Sequence, residues 1–192
     1  MRAKLNENQY VGIIGIIFII ILLIILFKPS NNESGISISD NEQQYTKAID
    51  LIEQQEYEKA EEILQKLILN NPTIGKYDLA LGTLYRKQNK WDKAKEYYMQ
   101  SIEKSPDLKE GYNNLTGIQM MENDLEGAFK TVEEGLSRHP ENKDLIFKKA
   151  QLLYVSGQEE EAKPLFEMLL DDPKYPEARE FYEGDRWYTF TE

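Results

Sequence analysis

Apolar and polar residues follow different patterns before and after Phe27. Residues 11–27 form an unbroken run of seventeen apolar residues without a charge. Such a run makes a helix of about 26 Å, close to the roughly 30 Å hydrocarbon core of a bilayer. The pattern therefore predicts one transmembrane helix at 11–27, preceded by a short stub at residues 1–10.

A cleaved secretory signal peptide is the competing interpretation of this segment. The apolar region of a signal peptide is normally about 7–15 residues long, and small residues at a cleavage site follow it closely. Here the apolar run ends at Phe27 and is followed by Lys28 and Pro29, and small residues at alternate positions appear only later, at 35–37 and 37–39. A retained anchor is therefore predicted, and cleavage remains the alternative.

The charges beside the apolar run predict its orientation. Arg2 and Lys4 precede the run, whereas Lys28 is the only basic residue after it until Lys47. Basic residues near a membrane helix favour the cytoplasmic side. We therefore expect a single-pass protein of the cell membrane, with a cytoplasmic stub and an extracytoplasmic domain.

Beyond the apolar run, the pattern changes first to a polar segment and then to helical periodicity. Residues 28–40 are rich in serine and asparagine and show no regular period, which predicts a flexible linker. From residue 41 onward, apolar residues recur at helical spacing in segments of about a dozen residues. The segments are paired, and polar or glycine-containing turns divide the pairs at Gln55–Glu56, Asn89–Lys90, Asn123–Asp124 and Gly157–Gln158.

Small residues and prolines recur in this region with one common period. One register contains Ala60, Ala94, Ala128 and Ala162, and another contains Pro72, Pro106 and Pro140. A third register of small residues contains Ala48, Gly82, Thr116 and Ala150. Three registers in step indicate an internal repeat, because only nine of the 192 residues are alanine.

The pattern resembles the tetratricopeptide repeat, a helix-turn-helix unit of about 34 residues, over residues 41–176. The clearest copy has the family's signature residues at Leu81, Gly82, Tyr85, Trp91, Ala94, Tyr98 and Pro106. The resemblance implies an all-α fold, a right-handed superhelix of four helix pairs, with copies at 41–74, 75–108, 109–142 and 143–176. Residues 177–192 are then expected to form a capping helix and an aromatic tail.

The copies also depart from the family pattern at individual positions. Lys47 replaces a usual leucine, Gln119 replaces a usual tyrosine, and Lys174 replaces the final proline of the fourth copy. Pro164 lies inside the second helix of the fourth copy, where it removes a backbone donor. We expect this proline to kink or delay that helix.

Charge and composition exclude several classes of function. The formal net charge is −11, and residues 1–28 contribute +2, so the rest of the chain carries −13. An acidic domain of this kind repels nucleic acid phosphates, and no nucleic acid partner is expected. The chain has no cysteine and a single histidine, His139. No catalytic, cofactor or metal site is predicted, and the protein is not expected to be an enzyme.

The resemblance implies a concave surface, lined by the first helix of each copy, on which a peptide or partner helix lies. The partner-binding groove predicted from these registers comprises Tyr45, Ile49, Leu79, Arg86, Asn113, Met120, Phe147, Gln151 and Tyr154. Burial of some of these residues between repeats is the alternative. Tyr45 and Leu79 stand where one branch of the family has lysines that clamp chaperone tails, so docking of such tails is disfavoured.

The predicted function is that of a membrane-anchored scaffold or chaperone-like module that mediates protein–protein interactions beside the membrane. Its expected partner is a protein or peptide of unknown identity, and residues 11–27 provide the contact with the membrane. The alternative is a regulator that senses a peptide and signals through the membrane helix. The shortness of the cytoplasmic stub, residues 1–10, argues against that alternative.

Overall fold

The computed structural model describes residues 38–183, and this part contains nine α-helices and no β-strand. The helices are α1 (Ile38–Glu53), α2 (Tyr57–Asn70), α3 (Gly75–Lys87), α4 (Trp91–Lys104), α5 (Lys109–Met121), α6 (Leu125–Arg138), α7 (Lys143–Val155), α8 (Glu159–Glu167) and α9 (Glu177–Glu183). The predicted all-α architecture is confirmed for these residues. The chain divides into two compact units, residues 1–42 and 43–192, and the packing described below concerns the second.

Several segments with a sequence prediction lie outside the described residues. They are the stub at 1–10, the predicted transmembrane helix at 11–27, most of the linker and the aromatic tail from residue 184 onward. Between residues 38 and 183, no helix combines the length and the apolar character that a membrane crossing requires.

One turn separates the two helices of each pair, and the four turns share one backbone geometry. Gln55, Asn89, Asn123 and Gly157 all have a positive φ, between 58° and 76°. The N–H of the following residue donates to a carbonyl five positions earlier, as from Glu56 to Leu51 and from Lys90 to Tyr85, both at 2.9 Å. This is the Schellman geometry, in which a left-handed residue ends the helix and satisfies its last carbonyls. The regular spacing of the turns thus has a backbone cause.

The small residues of the repeat lie where helices approach closely. Ala60, Ala94 and Ala128 are completely buried. A Cβ atom at Gly82 would lie 2.6 Å from ring atoms of Tyr98, so the ring of α4 occupies the space that a side chain on α3 would need. Each described helix from α2 onward packs against the next one, and α5 also packs against α7. The stack therefore places α5 and α7 side by side.

Pro164 does not delay α8, which begins at Glu159 in the same repeat register as Trp91 and Leu125, but α8 ends early. It spans nine residues, whereas α2, α4 and α6 each span fourteen. After α8 the chain continues in tight turns, in which the N–H of Leu169 donates to Phe166 and that of Leu170 donates to Glu167. Proline cannot donate to the carbonyl four positions before it, which weakens the helix at this point.

Candidate partner-binding groove

An open cavity of about 650 Å³ lies along the first helices of the second, third and fourth pairs. Its apolar side chains come from four helices and from the end of the stack: Trp91, Ile118, Met120, Met121, Leu125, Val155 and Phe181. Its polar side chains are Arg86, Asn113, Asn114, Asn123, Lys148 and Gln151. This volume lies within the range of about 300–1,000 Å³ that is typical of ligand pockets.

The structure brings together four of the nine residues predicted for the groove. Arg86 on α3, Asn113 and Met120 on α5, and Gln151 on α7 all line the cavity. None of the nine predicted residues is fully buried, since Arg86 is exposed and the other eight are half-buried.

Three predicted residues lie apart from the cavity, at the first and second helix pairs. Tyr45, Ile49 and Leu79 pack against the buried core of these pairs. The ring of Tyr45 lies 5.7 Å from that of Tyr77, and the ammonium of Lys76 lies 4.9 Å above it. These contacts give the half-buried side chains a role in packing.

Phe147 and Tyr154 belong to an aromatic cluster with the last helix. Tyr154 lies 5.1 Å from Phe181 between ring centroids, and Phe147 lies 5.3 Å from Tyr175 and 6.4 Å from Phe181. Phe166 and Phe181 stack at 4.9 Å with nearly parallel rings. The aromatic cluster defined by these five residues, Phe147, Tyr154, Phe166, Tyr175 and Phe181, joins α9 to the fourth helix pair and covers its apolar end.

Sequence reasoning missed several residues that line the cavity. Met121 and Val155 occupy equivalent positions in successive repeats and are large apolar side chains with exposures of 68% and 41%. Trp91 and Leu125, again equivalent in successive repeats, begin the second helices of their pairs. A search for exposed apolar residues in repeat registers at the helix ends would have found the first pair. Lys148 occupies no register that the sequence analysis considered.

The electrostatic character of the cavity differs from that of the chain. No aspartate or glutamate is among the described residues that line it, although the chain has 34 acidic residues. Burial lowers the pKa of the Lys148 ammonium, and the nearby charge of Asp144 opposes this effect. The side-chain oxygens of Asn113 and Gln151 are buried and accept no hydrogen bond from the described residues.

Elsewhere, the described residues offer no alternative chemical centre. No group of three histidine, aspartate or glutamate side chains between residues 40 and 183 is arranged to hold a metal ion. A second depression, near His139 and Lys143, is crossed by ion pairs of Lys143 with Asp172 and of Lys174 with Asp144, both at 2.7 Å. Four of its charged groups are thus already paired with each other, so the apolar cavity is the better candidate for binding.

Residues 78–107 match the family described as Tetratricopeptide repeat. The chain carries a tetratricopeptide repeat. This segment corresponds to most of the helix pair α3 and α4, the copy in which the sequence showed the clearest signature. This match indicates a repeat protein, and it points to no enzyme family.

A curated relative and two solved structures extend the comparison. The Sol locus transcriptional repressor of Clostridium acetobutylicum is 33% identical over 78 residues, which are 41% of this chain and 24% of that protein. The aligned part is thus about a quarter of the relative's length. PilF of Pseudomonas aeruginosa has a TM-score of 0.60 at 16% identity, covering 74% of this chain and 73% of that one. A tetratricopeptide repeat protein of Parabacteroides merdae has a TM-score of 0.64 at 19% identity, covering 74% and 59%. The structural similarities establish a helical superhelix of the tetratricopeptide type.

Proposed function

We propose that this protein is a membrane-anchored tetratricopeptide scaffold or chaperone-like module that binds a segment of a partner protein in the cavity between α3, α5 and α7. The observation that carries the proposal is the cavity itself, which exposes large apolar side chains to solvent. Met121 and Val155 stand at its surface with exposures of 68% and 41%. Apolar groups clustered in a concave surface favour binding of a partner, because burying them releases water.

The shape of the cavity supports a segment of a polypeptide as the ligand. It extends over three helix pairs and has apolar groups along its length, with amides and cations between them. Extended peptides and amphipathic helices bind in grooves of this kind through a few large side chains.

The membrane-anchor part of the proposal rests on the apolar run at 11–27 and on the basic residues before it.

Site-specific photocrosslinking tests the groove directly. A benzoylphenylalanine at position 121, in full-length protein expressed in its native membrane, should form an adduct with one defined partner. The matched control is position 69, because Leu69 is 81% exposed on α2 and does not line the cavity. The same adducts from both positions would contradict a specific groove.

A cavity-filling variant makes this test independent of the probe. A side chain at Gly117 would meet open space, with only the Lys148 ammonium at 4.0 Å from the added Cβ. Gly117→Leu should therefore fill the cavity and keep the fold, since glycine inside a helix is itself unfavourable. We expect it to remove the adduct at position 121 while the thermal unfolding midpoint stays the same or rises. An unchanged adduct would place the partner elsewhere.

Topology is the second part of the proposal and has its own test. Protease added to intact protoplasts should remove the domain from the membrane fraction, and N-terminal sequencing of the membrane-bound protein should begin near Met1. Full protection from protease would reverse the orientation. A soluble chain beginning near Ser37 or Asp40 would show that residues 11–27 act as a cleaved signal.

The regulator alternative has one observation in its favour, the partial similarity to a protein named as a transcriptional repressor. That similarity covers 24% of the repressor, so it reaches only part of that protein. The adducts at position 121 distinguish the two proposals. A scaffold should yield a protein adduct of defined mass, whereas a peptide sensor should yield a peptide adduct.

A further inference from the structure

The cavity is a cationic site in an acidic protein. Residues 29–192 carry a net charge of −13, yet no acidic residue lines the described cavity, and Arg86 and Lys148 do. Arg86 is exposed on α3, and Lys148 is half-buried on α7. Because the two cations lie on different helices and have no carboxylate between them, an anionic ligand would meet attraction from both.

Lys148 differs from the lysines around it. Its neighbour Lys149 pairs with Glu133 at 2.7 Å, and Lys143 at the start of the same helix pairs with Asp172 at 2.7 Å. Among the residues from 40 to 183, no carboxylate lies within ion-pairing distance of Lys148. Asp144, one turn earlier on α7, is held instead by Lys174 and by the hydroxyl of Tyr175, at 2.7 Å each.

The position of the Lys148 ammonium leaves it facing the cavity. It lies 4.0 Å from the point where a Cβ on Gly117 would be, and therefore above a stretch of α5 that has no side chain. A half-buried cation without a partner is unfavourable, and its lowered pKa reflects this loss of hydration. An anion in the cavity would offset that cost.

The amides beside Lys148 add donors of the same kind. Asn113 and Gln151 line the cavity, and their side-chain oxygens are buried without a hydrogen bond from the described residues. Rotation of an amide exchanges its oxygen and its nitrogen, so each side chain can present a donor to a ligand. Amide nitrogens, lysine and arginine are all donors. Lys148 and Arg86 have no acceptor atom, so the ligand group that meets them must be an acceptor.

From this arrangement we propose that the cavity recognises a peptide segment in which the side-chain carboxylate of an aspartate or glutamate stands beside a large apolar side chain. Lys148 and the amide nitrogens of Asn113 and Gln151 bind the carboxylate, and Arg86 attracts it at the rim. Met120, Met121 and Val155 contact the apolar side chain. This inference rests on the proposed function and specifies the chemistry of the partner.

The test measures how strongly the cavity distinguishes a carboxylate from its neutral isostere. The probes are fluorescent heptapeptides with an aspartate or glutamate next to phenylalanine, leucine or methionine, each paired with the peptide that has asparagine or glutamine instead. All are acetylated and amidated, so that side chains carry the only carboxylates. Full-length protein in detergent should bind the best acidic peptide about tenfold more tightly than its amide partner, because a hydrogen-bonded ion pair is lost in the amide.

Two lysine variants assign the effect to one side chain. Lys148→Met should reduce the ratio of the two affinities from about tenfold to about one, without lowering the thermal unfolding midpoint, because it removes a partly desolvated charge. Lys149→Met changes the net charge equally and should keep the ratio, since Lys149 pairs with Glu133 on the surface. A preference for the acidic peptide that survives Lys148→Met would overturn the proposal.

The remaining outcomes separate this inference from the proposed function. Equal affinity for acidic and amide peptides, abolished by Gly117→Leu, would overturn the acidic ligand and leave the groove as a binding site. Absence of any peptide binding together with absence of an adduct at position 121 would overturn both. Binding that appears only after residues 184–192 are deleted would show that the chain's own tail is the ligand, and would overturn an external segment.

Discussion

Replacing Phe147 with alanine should lower the free energy of unfolding by about 3 kcal/mol, near the lower end of the range for buried aromatic residues. The ring of Phe147 contacts Phe166, Tyr175 and Phe181, with centroids 6.0, 5.3 and 6.4 Å away. Its removal leaves a gap between α7 and α9 that the surrounding helices cannot close completely. Urea unfolding followed by far-ultraviolet circular dichroism measures the loss.

The shape of the unfolding curve should also show whether the last helix pair unfolds separately from the others. Each helix pair of a repeat stack contacts mainly its neighbours, so weakening the last pair can unfold it before the others. We therefore expect an early partial transition in the Phe147 variant, and the same transition in Phe181→Ala, since Phe181 is buried in the same aromatic cluster.

Met121→Ala is the matched control for Phe147. Met121 is a large apolar side chain at the cavity, but its exposure is 68%, so its removal should change stability by no more than about 0.5 kcal/mol. The stabilities of the two variants should thus distinguish a side chain that packs the fold from one that is free to contact a partner. If Phe147→Ala unfolds like the unaltered protein and loses the adduct at position 121, the aromatic cluster is a binding surface after all.

The repeat period predicted most of the described fold because it is imposed by local backbone geometry. Gln55, Asn89, Asn123 and Gly157 recur once in each helix pair as left-handed residues that end a helix. Gly82 and the buried alanines recur because each helix crossing leaves little space. Such features depend on near neighbours in the chain, and a sequence pattern can therefore reveal them.

The candidate site could be predicted only in part, because it depends on contacts that no single repeat contains. Asn113 and Gln151 line the cavity as their register predicted. Phe147 occupies the register of Asn113 and Tyr154 that of Met120, but the last helix brings Phe181 against both rings. Lys148 faces the cavity because α7 packs beside Gly117 of α5, a relation between two helices that the sequence does not display.

Replacing Lys104 with methionine should cost about 3–5 kcal/mol, since it leaves a buried carboxylate without its partner. The side chain of Asp78 is 1% exposed, and its two oxygens lie 2.7 and 2.8 Å from the Lys104 ammonium. The pair joins α3 to α4 across the best-conforming helix pair of the chain. Urea unfolding of the full-length protein in detergent measures the cost.

The intact ion pair should stabilise the fold far less than this single replacement suggests. Removing both charges in the double variant Asp78→Leu, Lys104→Met should recover most of the stability, because burying an ion pair carries a desolvation cost that an apolar pair avoids. The equivalent position of the next repeat holds Tyr112, and that of the fourth holds Ile146, both buried, so the fold accepts an apolar residue there. The coupling energy from a double-mutant cycle should therefore be several kcal/mol, above the roughly 0.5 kcal/mol expected of independent sites. Additive losses in the double variant would show instead that each side chain stabilises the helix pair through packing of its own.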